Sequence, residues 1–236
     1  MNILAVGANP DDIELLCAGT LAKYAQRRDN VSISFLTNGD KGSLELGREE
    51  MAAIRKEESE KAAAVINASL YPLGIPDGEV EVSLDLRRRL VEIIRKVRPD
   101  IIITQHPEDY MSDHNYTSKL VLDAGFWAAV AAFDGSLNES SAHSCIPPVY
   151  YMETVAGIGC IPEEYVDITK VFDIKVEMLS KHKSQLTYMM ERDNLDMLDY
   201  MTTAAKYRGY QCGVKYAEGF IRKKIYPSLS PERLLP

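Results

Sequence analysis

Val6-Gly7-Ala8-Asn9-Pro10-Asp11-Asp12-Ile13-Glu14 is the stretch whose reading decides the fold. Apolar and small residues at 3–7 run into it and read as a buried strand, and the amphipathic run 15–26 leaves it as a helix. Two carboxylates therefore sit on a strand-to-helix turn, at the N-terminal end of the helix. In a parallel α/β sheet ligands bind at the carboxyl ends of the strands, so this turn is a candidate site. The competing reading is that Asp11 or Asp12 caps the helix.

Working outward, residues 31–36 (VSISFL) are β-branched and apolar and read as a second strand. They end in the polar loop 37–43, which holds Asn38 and two glycines. A long Ala-, Glu- and Lys-rich helix is expected over 48–67, a short strand at 69–73, a turn through 74–78 and a helix over 84–97. Pro99 stops that helix, and 100–104 reads as the next strand. The alternation predicts a Rossmann-like α/β fold with a mostly parallel sheet and helices on both faces. Further on, 134–148 reads as a long loop and a candidate subunit contact. Residues 148–152 and 165–168 read as strands, and 174–188 and 194–207 as helices. We expect one domain over 1–226 and a C-terminal tail over 227–236, either a poorly ordered extension or a packing arm.

A second polar cluster follows the strand at 100–104. Residues 105–114 (QHPEDYMSDH) hold two of the four histidines and three acids, and a helix is expected after them, over 115–131. With the common strand order 3-2-1-4, the first and fourth strands are neighbours. The loops after Gly7 and Thr104 then face each other across one crevice. The alternative makes Asp113 a helix cap and His114 an ordinary surface histidine.

Composition narrows the classes. The chain has 236 residues, 46 % of them hydrophobic, enough for a sizeable core. A net charge of −8 argues against nucleic acid or an anionic membrane as partner. No apolar run is long enough to span a bilayer, and no signal peptide is evident. Four scattered cysteines without a CxxC pair suit a reducing cytoplasm better than a disulfide framework. The Gly7-Ala8-Asn9-Pro10 turn lacks the GxGxxG spacing of a dinucleotide site.

These motifs resemble the PIG-L/LmbE-like family of zinc-dependent N-deacetylases. That family opens with a strand and A-H-P-D-D-E, matched by residues 8–14, followed by a G-G-T turn matched by Ala18-Gly19-Thr20. Its second signature, an acid-rich loop ending in D-H, is matched at 109–114. Weaker matches are Arg55 with Glu58, the Asp77-Gly78 turn, the run Lys175, His182, Ser184 and Gln185, and Ala217, Glu218 and Phe220. The resemblance implies a Rossmann-like fold and hydrolysis of the N-acetyl group of an amino sugar or glycoconjugate. It implies Zn2+ as cofactor, with Asp12 and His114 as ligands and Asn9 at the third ligand position. Asp11 is the expected general base, Asp113 and His106 further catalytic candidates, and Arg55 and Asn38 substrate-binding candidates. Relatives commonly assemble, so a homo-oligomer is expected.

Two positions depart from the pattern. Asn9 stands where the family has a histidine ligand, and an amide oxygen is a poorer zinc donor than imidazole. The site should therefore bind zinc more weakly, favour a harder divalent metal, or stand empty. Met111 occupies a position where relatives often carry a second loop histidine, and methionine can neither donate a proton nor stabilise an anion. His106 is the candidate replacement. A carbohydrate-binding protein with lost hydrolysis is the alternative reading.

Overall fold

In the computed structural model, which describes residues 1–135, 141–226 and 234–236, the chain alternates strands and helices as the pattern requires. The strands are β1 (Asn2–Gly7), β2 (Asn30–Phe35), β3 (Ser69–Leu70), β4 (Ile101–Thr104), β5 (Val149–Tyr151), β6 (Glu164–Asp167) and β7 (Ala217–Arg222). The helices are α1 (Asp12–Leu16), α2 (Ala18–Gln26), α3 (Arg48–Val65), α4 (Leu84–Val97), α5 (Ser112–Ala128), α6 (Phe172–Leu179), α7 (Lys183–Asp193) and α8 (Met197–Cys212). The strands form one sheet in the order β3-β2-β1-β4-β5-β7-β6. β3 through β5 are parallel, and β7 runs antiparallel to both of its neighbours.

Successive residues of a strand point to opposite faces, and β1 shows what each face meets. Ile3 and Ala5 join the core formed with α2, α6 and α8, while Leu4 and Val6 join the core formed with α4 and α5. A strand buried on both sides has no polar face, which is why residues 3–7 carry no alternation. β1 and β4 are neighbours, so the loops that follow them open side by side at the carboxyl ends of the strands.

Several expectations need correction. The helix expected over 15–26 begins earlier, at Asp12, and breaks at Cys17 (φ −142°, ψ 8°) into α1 and α2. The reason lies far along the chain. The Glu218 carboxylate accepts hydrogen bonds from Gly19 N (2.9 Å), Thr20 N (2.7 Å) and Thr20 Oγ1 (2.6 Å), so it caps a fresh helix start. A side chain at position 19 would collide with Ile168, since a Cβ there would lie 2.7 Å from it. The helix expected over 174–188 is likewise two helices, α6 and α7, meeting at His182. β3 is shorter than the expected 69–73, although Tyr71 N and Leu73 N continue the pairing onto Ile33 and Phe35. β7 spans the Ala217, Glu218 and Phe220 motif, for which the sequence predicts no strand.

Part of the expected loop 134–148 lies outside the described residues. Its far end is tied down: His143 N donates to Ala128 O (2.9 Å), and the His143 ring sits 2.9 Å from Pro99 O. The expected tail lies partly outside them as well. At the terminus Leu235 is buried, and Tyr24 donates its hydroxyl to Leu234 O (2.8 Å). All four cysteines are free. Among the described residues no helix is long and apolar enough to cross a membrane.

Candidate active site

The chain leaves β1 through a turn that orients two adjacent carboxylates differently. Asp11 has φ 110°, a backbone region that side chains other than Asn and Asp seldom visit. α1 starts at the next residue, so Asp12 stands on its first turn. Asn9 N and Gln105 Nε2 both donate to Asp12 Oδ2, each at 2.6 Å. Asp12 Oδ1 is turned instead toward His114, 3.5 Å from Nε2. His114, on the first turn of α5, has its other nitrogen 3.4 Å from Asp109 Oδ2. Asp109 is held in turn by Met111 N (3.1 Å) and Val155 N (2.9 Å).

Asn9 completes the pattern. Its Nδ2 donates to Thr37 Oγ1 (3.0 Å) and to Asp77 Oδ1 (3.2 Å), and its Oδ1 is buried with no hydrogen-bond partner. Each of the three expected ligand side chains thus has one end engaged, leaving Asp12 Oδ1, His114 Nε2 and Asn9 Oδ1. Two donors each about 2.0–2.2 Å from a tetrahedral ion lie about 3.3–3.6 Å apart, and the 3.5 Å between Asp12 and His114 matches. Among the described residues no group of three or more His, Cys, Asp or Glu could hold a metal. The donor set is one carboxylate, one imidazole and one amide oxygen, and it fits a divalent cation that tolerates oxygen.

Arg55 stands beneath Asp11, almost fully buried on the inner face of α3. Its guanidinium donates to Asp11 Oδ1 (3.0 Å) and to the Pro10 carbonyl. Arg55 holds the turn through these bonds and also lines the cavity onto which the site opens. Three residues on, Glu58 accepts from Ser184 N (2.8 Å) and Ser184 Oγ (2.5 Å) at the start of α7. Arg55 and Glu58 thus tie one helix to both the turn and the α7 wall. His182 packs behind the turn, 3.5 Å from the equally buried Glu14.

The electrostatics follow from burial among like charges. Burial raises Asp11 above the usual carboxylate range, with Arg55 opposing. Burial also pushes Asp12 up to about 6 against the pull of His114. For His114 burial favours the neutral ring, but Asp12 and Asp109 outweigh it and raise the group to about 9. Burial works against the Asp109 charge too, but His114 and the two backbone N–H groups win and bring it down to about 2.

These groups open onto a cavity of about 620 Å3, within the usual range for a small-molecule site. Asp11, Asp12, Asp113 and His114 line one side. Tyr110 and Met111 stand on the loop after β4, and Tyr188, Met189 and Arg192 of α7 are also on the wall. Asp113 Oδ2 accepts from Gly78 N (2.6 Å), and its Oδ1 is buried without a partner. Two candidates do not line this cavity. His106 Nδ1 accepts from Glu108 N (3.1 Å), and its ring meets Tyr151 edge-on. Asn38 Oδ1 accepts from Asp40 N (3.2 Å), and the residue lines a separate groove beside β3. Sequence reasoning gave no role to Gln105 and Thr37. Both lie at the carboxyl ends of strands β4 and β2, where the switch-point rule directs attention.

Fold and site together define a Rossmann-like α/β protein with a carboxylate–imidazole centre at its topological switch point. A family model described as PIG-L: GlcNAc-PI de-N-acetylase matches residues 4–125, just over half of the chain. The chain belongs to that family. A diacetylchitobiose deacetylase of Thermococcus kodakarensis is 27 % identical over 228 residues, 92 % of this chain and 81 % of that protein. A 4-oxalmesaconate hydratase of Pseudomonas putida is 24 % identical over 96 % of this chain and 90 % of its own length. Among solved structures, the N,N'-diacetylchitobiose deacetylase from Pyrococcus horikoshii in complex with an inhibitor superposes with a TM-score of 0.82 at 25 % identity. That match covers 94 % of this chain and 83 % of the other.

Proposed function

We propose that this protein is a metal-dependent hydrolase that removes the N-acetyl group from an amino sugar or glycoconjugate. The observation that carries the reading is Asp12 Oδ1 facing His114 Nε2 at 3.5 Å, with His114 Nε2 and Asn9 Oδ1 both buried without a hydrogen-bond partner, beside the raised carboxylate Asp11. Asp12, His114 and Asn9 would hold the ion, Zn2+ or a harder divalent metal. When bound, such an ion polarises a carbonyl and makes water more acidic. Asp11, held by Arg55, takes the proton from the attacking water as its oxygen joins the acetyl carbon. The same proton then passes from Asp11 to nitrogen as the C–N bond breaks, leaving acetic acid and the amine, which at neutral pH separate as acetate and the ammonium ion once the acid's proton moves to the amine. Met111 supplies no proton, so one carboxyl group serves both transfers. Deacetylase relatives support hydrolysis over a binding role alone.

The test is metal titration together with amine release from N-acetylglucosamine-type substrates, wild type against Asn9→His. Imidazole replacing the amide oxygen is expected to raise zinc affinity by about 10–100-fold, the order by which ligand surroundings alone shift metal binding. Amine release at limiting zinc should rise with it. A wild type that binds zinc as tightly as the variant would make Asn9 a full ligand. If neither protein binds metal nor releases amine, the reading fails, and hydration of an unsaturated acid becomes the next reaction to assay.

We further propose a homo-oligomer in a cytoplasmic setting. Ile158, Ile161 and Tyr210 are exposed apolar side chains that an interface would cover. Sedimentation velocity reads this. A single-chain mass at concentrations where an interface of about 1,600 Å2 should hold overturns it.

A further inference from the structure

We propose that Asp77 and Thr37 are positioning residues for the centre: they fix the Asn9 amide with its oxygen, not its nitrogen, left to the cavity. The inference rests on the metal-dependent reading above and names what makes position 9 a ligand. A primary amide has two N–H donors and one carbonyl oxygen. Both N–H groups of Asn9 are spent, on Thr37 Oγ1 and Asp77 Oδ1. Turning the amide over would set Asn9 Oδ1 against the Asp77 carboxylate, acceptor against acceptor. Thr37, whose hydroxyl can donate as well as accept, permits either orientation, so Asp77 decides.

Asp77 is itself immobilised. Gly39 N donates to its Oδ1 (3.1 Å) and Lys41 N to its Oδ2 (3.2 Å), while Asp77 N donates to Asp40 Oδ1 (2.9 Å). Gly39 has φ 71°, which turns its N–H onto the carboxylate without steric cost. The next residue, Gly78, holds Asp113 through its N–H. The Asp77-Gly78 turn therefore braces two cavity side chains at once. Its contact with Asn9 parallels the contact of Asp109 with His114 and that of Gln105 with Asp12. Each candidate ligand has a dedicated neighbour on the atom that faces away from the others, the arrangement by which outer groups orient metal ligands.

The experiment is calorimetric titration of the full-length, metal-free protein with Zn2+ alone and with Mn2+ alone. Asp77→Asn is expected to weaken binding about 10–100-fold, since an amide at position 77 can donate to Asn9 Oδ1 and draw it away. Thr37→Val should weaken binding less, and Thr37→Ser, which keeps the hydroxyl, should restore it. The deciding comparison is the double-mutant cycle. In an Asn9→Ala background, Asp77→Asn should change the dissociation constant less than about twofold, because its effect passes through the missing amide.

An equal loss in both backgrounds would make Asp77 a general brace of the loop and overturn the proposal. So would wild-type affinity in Asp77→Asn. A wild type that takes neither ion removes the metal reading and this inference with it, whereas a wild type that binds while Asp77→Asn binds equally removes the inference alone. Thermal melts by circular dichroism accompany each variant, and if Asp77→Asn does not fold, the Thr37→Val and Thr37→Ser pair decides.

Discussion

Glu218→Gln is expected to lower the stability of the protein by about 3–5 kcal/mol, the usual cost of removing one member of a buried ion pair. Lys175 and Glu218 are 2 % and 3 % exposed and lie in direct contact between α6 and β7. Glu218 also accepts from Gly19 N, Thr20 N and Thr20 Oγ1 at the start of α2. Four donors thus converge on one carboxylate, from segments about 200 residues apart in sequence. A glutamine there leaves the Lys175 ammonium buried and uncompensated, and turns an amide donor toward other donors. Urea unfolding reads the effect as a lower midpoint with unchanged slope. At a few degrees per kcal/mol for a chain of this size, the melting temperature should fall on the order of 10 °C. The double replacement Lys175→Met with Glu218→Gln removes both charges but keeps an amide oxygen for Gly19 N, Thr20 N and Thr20 Oγ1, and should recover part of the loss because no buried ammonium is left uncompensated. A single-variant cost below about 1 kcal/mol would show that the pair is hydrated in solution.

The same network shows where sequence reading stops. The parallel core was legible because strands buried on both faces are written as continuous apolar runs, such as Ile101 to Ile103, and because switch-point geometry places the loops after β1 and β4 together. Asp11, Asp12, Asp113 and His114 all reach one cavity as that geometry requires. The break at Cys17 was not legible. Residues 15–26 keep a helical pattern across it, and the cause is Glu218, a contact no local pattern encodes. His106 looked as qualified as His114, since both lie in the loop after β4. The helical turn of α5 brings His114 back over Asp12, whereas His106 stays at the strand end and packs on Tyr151. Asn38 was likewise placed on the right loop, but the bridge between Thr37 and Ile75 turns its side chain to the neighbouring groove. Loop membership can be read from sequence; side-chain direction within a loop depends on partners elsewhere in the chain.

Asp11→Asn is expected to reduce kcat by about 10²–10⁴-fold, the usual contribution of a positioned general base, while KM and bound metal stay near wild type. Asparagine is the informative replacement for two reasons. It has almost the same shape and tolerates the φ of 110° at this position, whereas alanine would add backbone strain to the loss of charge. It also keeps an oxygen for the Arg55 contact at 3.0 Å, so the turn retains its anchor even though the ion pair is lost. The residual cost is an Arg55 charge with no counter-ion, and a melt measured beside the kinetics separates that from catalysis. Asp11 differs from Asp12 in just the respect the reaction requires. Asp12 has its Oδ2 tied by two donors and its Oδ1 facing His114, which suits a ligand. Asp11 is held through Arg55, and burial raises its proton affinity toward the range where a base both takes and returns a proton. The measurement is steady-state amine release with metal content determined on the same sample. If the variant keeps its metal and its kcat stays within tenfold of wild type, Asp11 is not the base. The buried, partner-free Oδ1 of Asp113 is then the carboxylate oxygen on the cavity that must carry the proton, and Asp113→Asn should show the loss in its place.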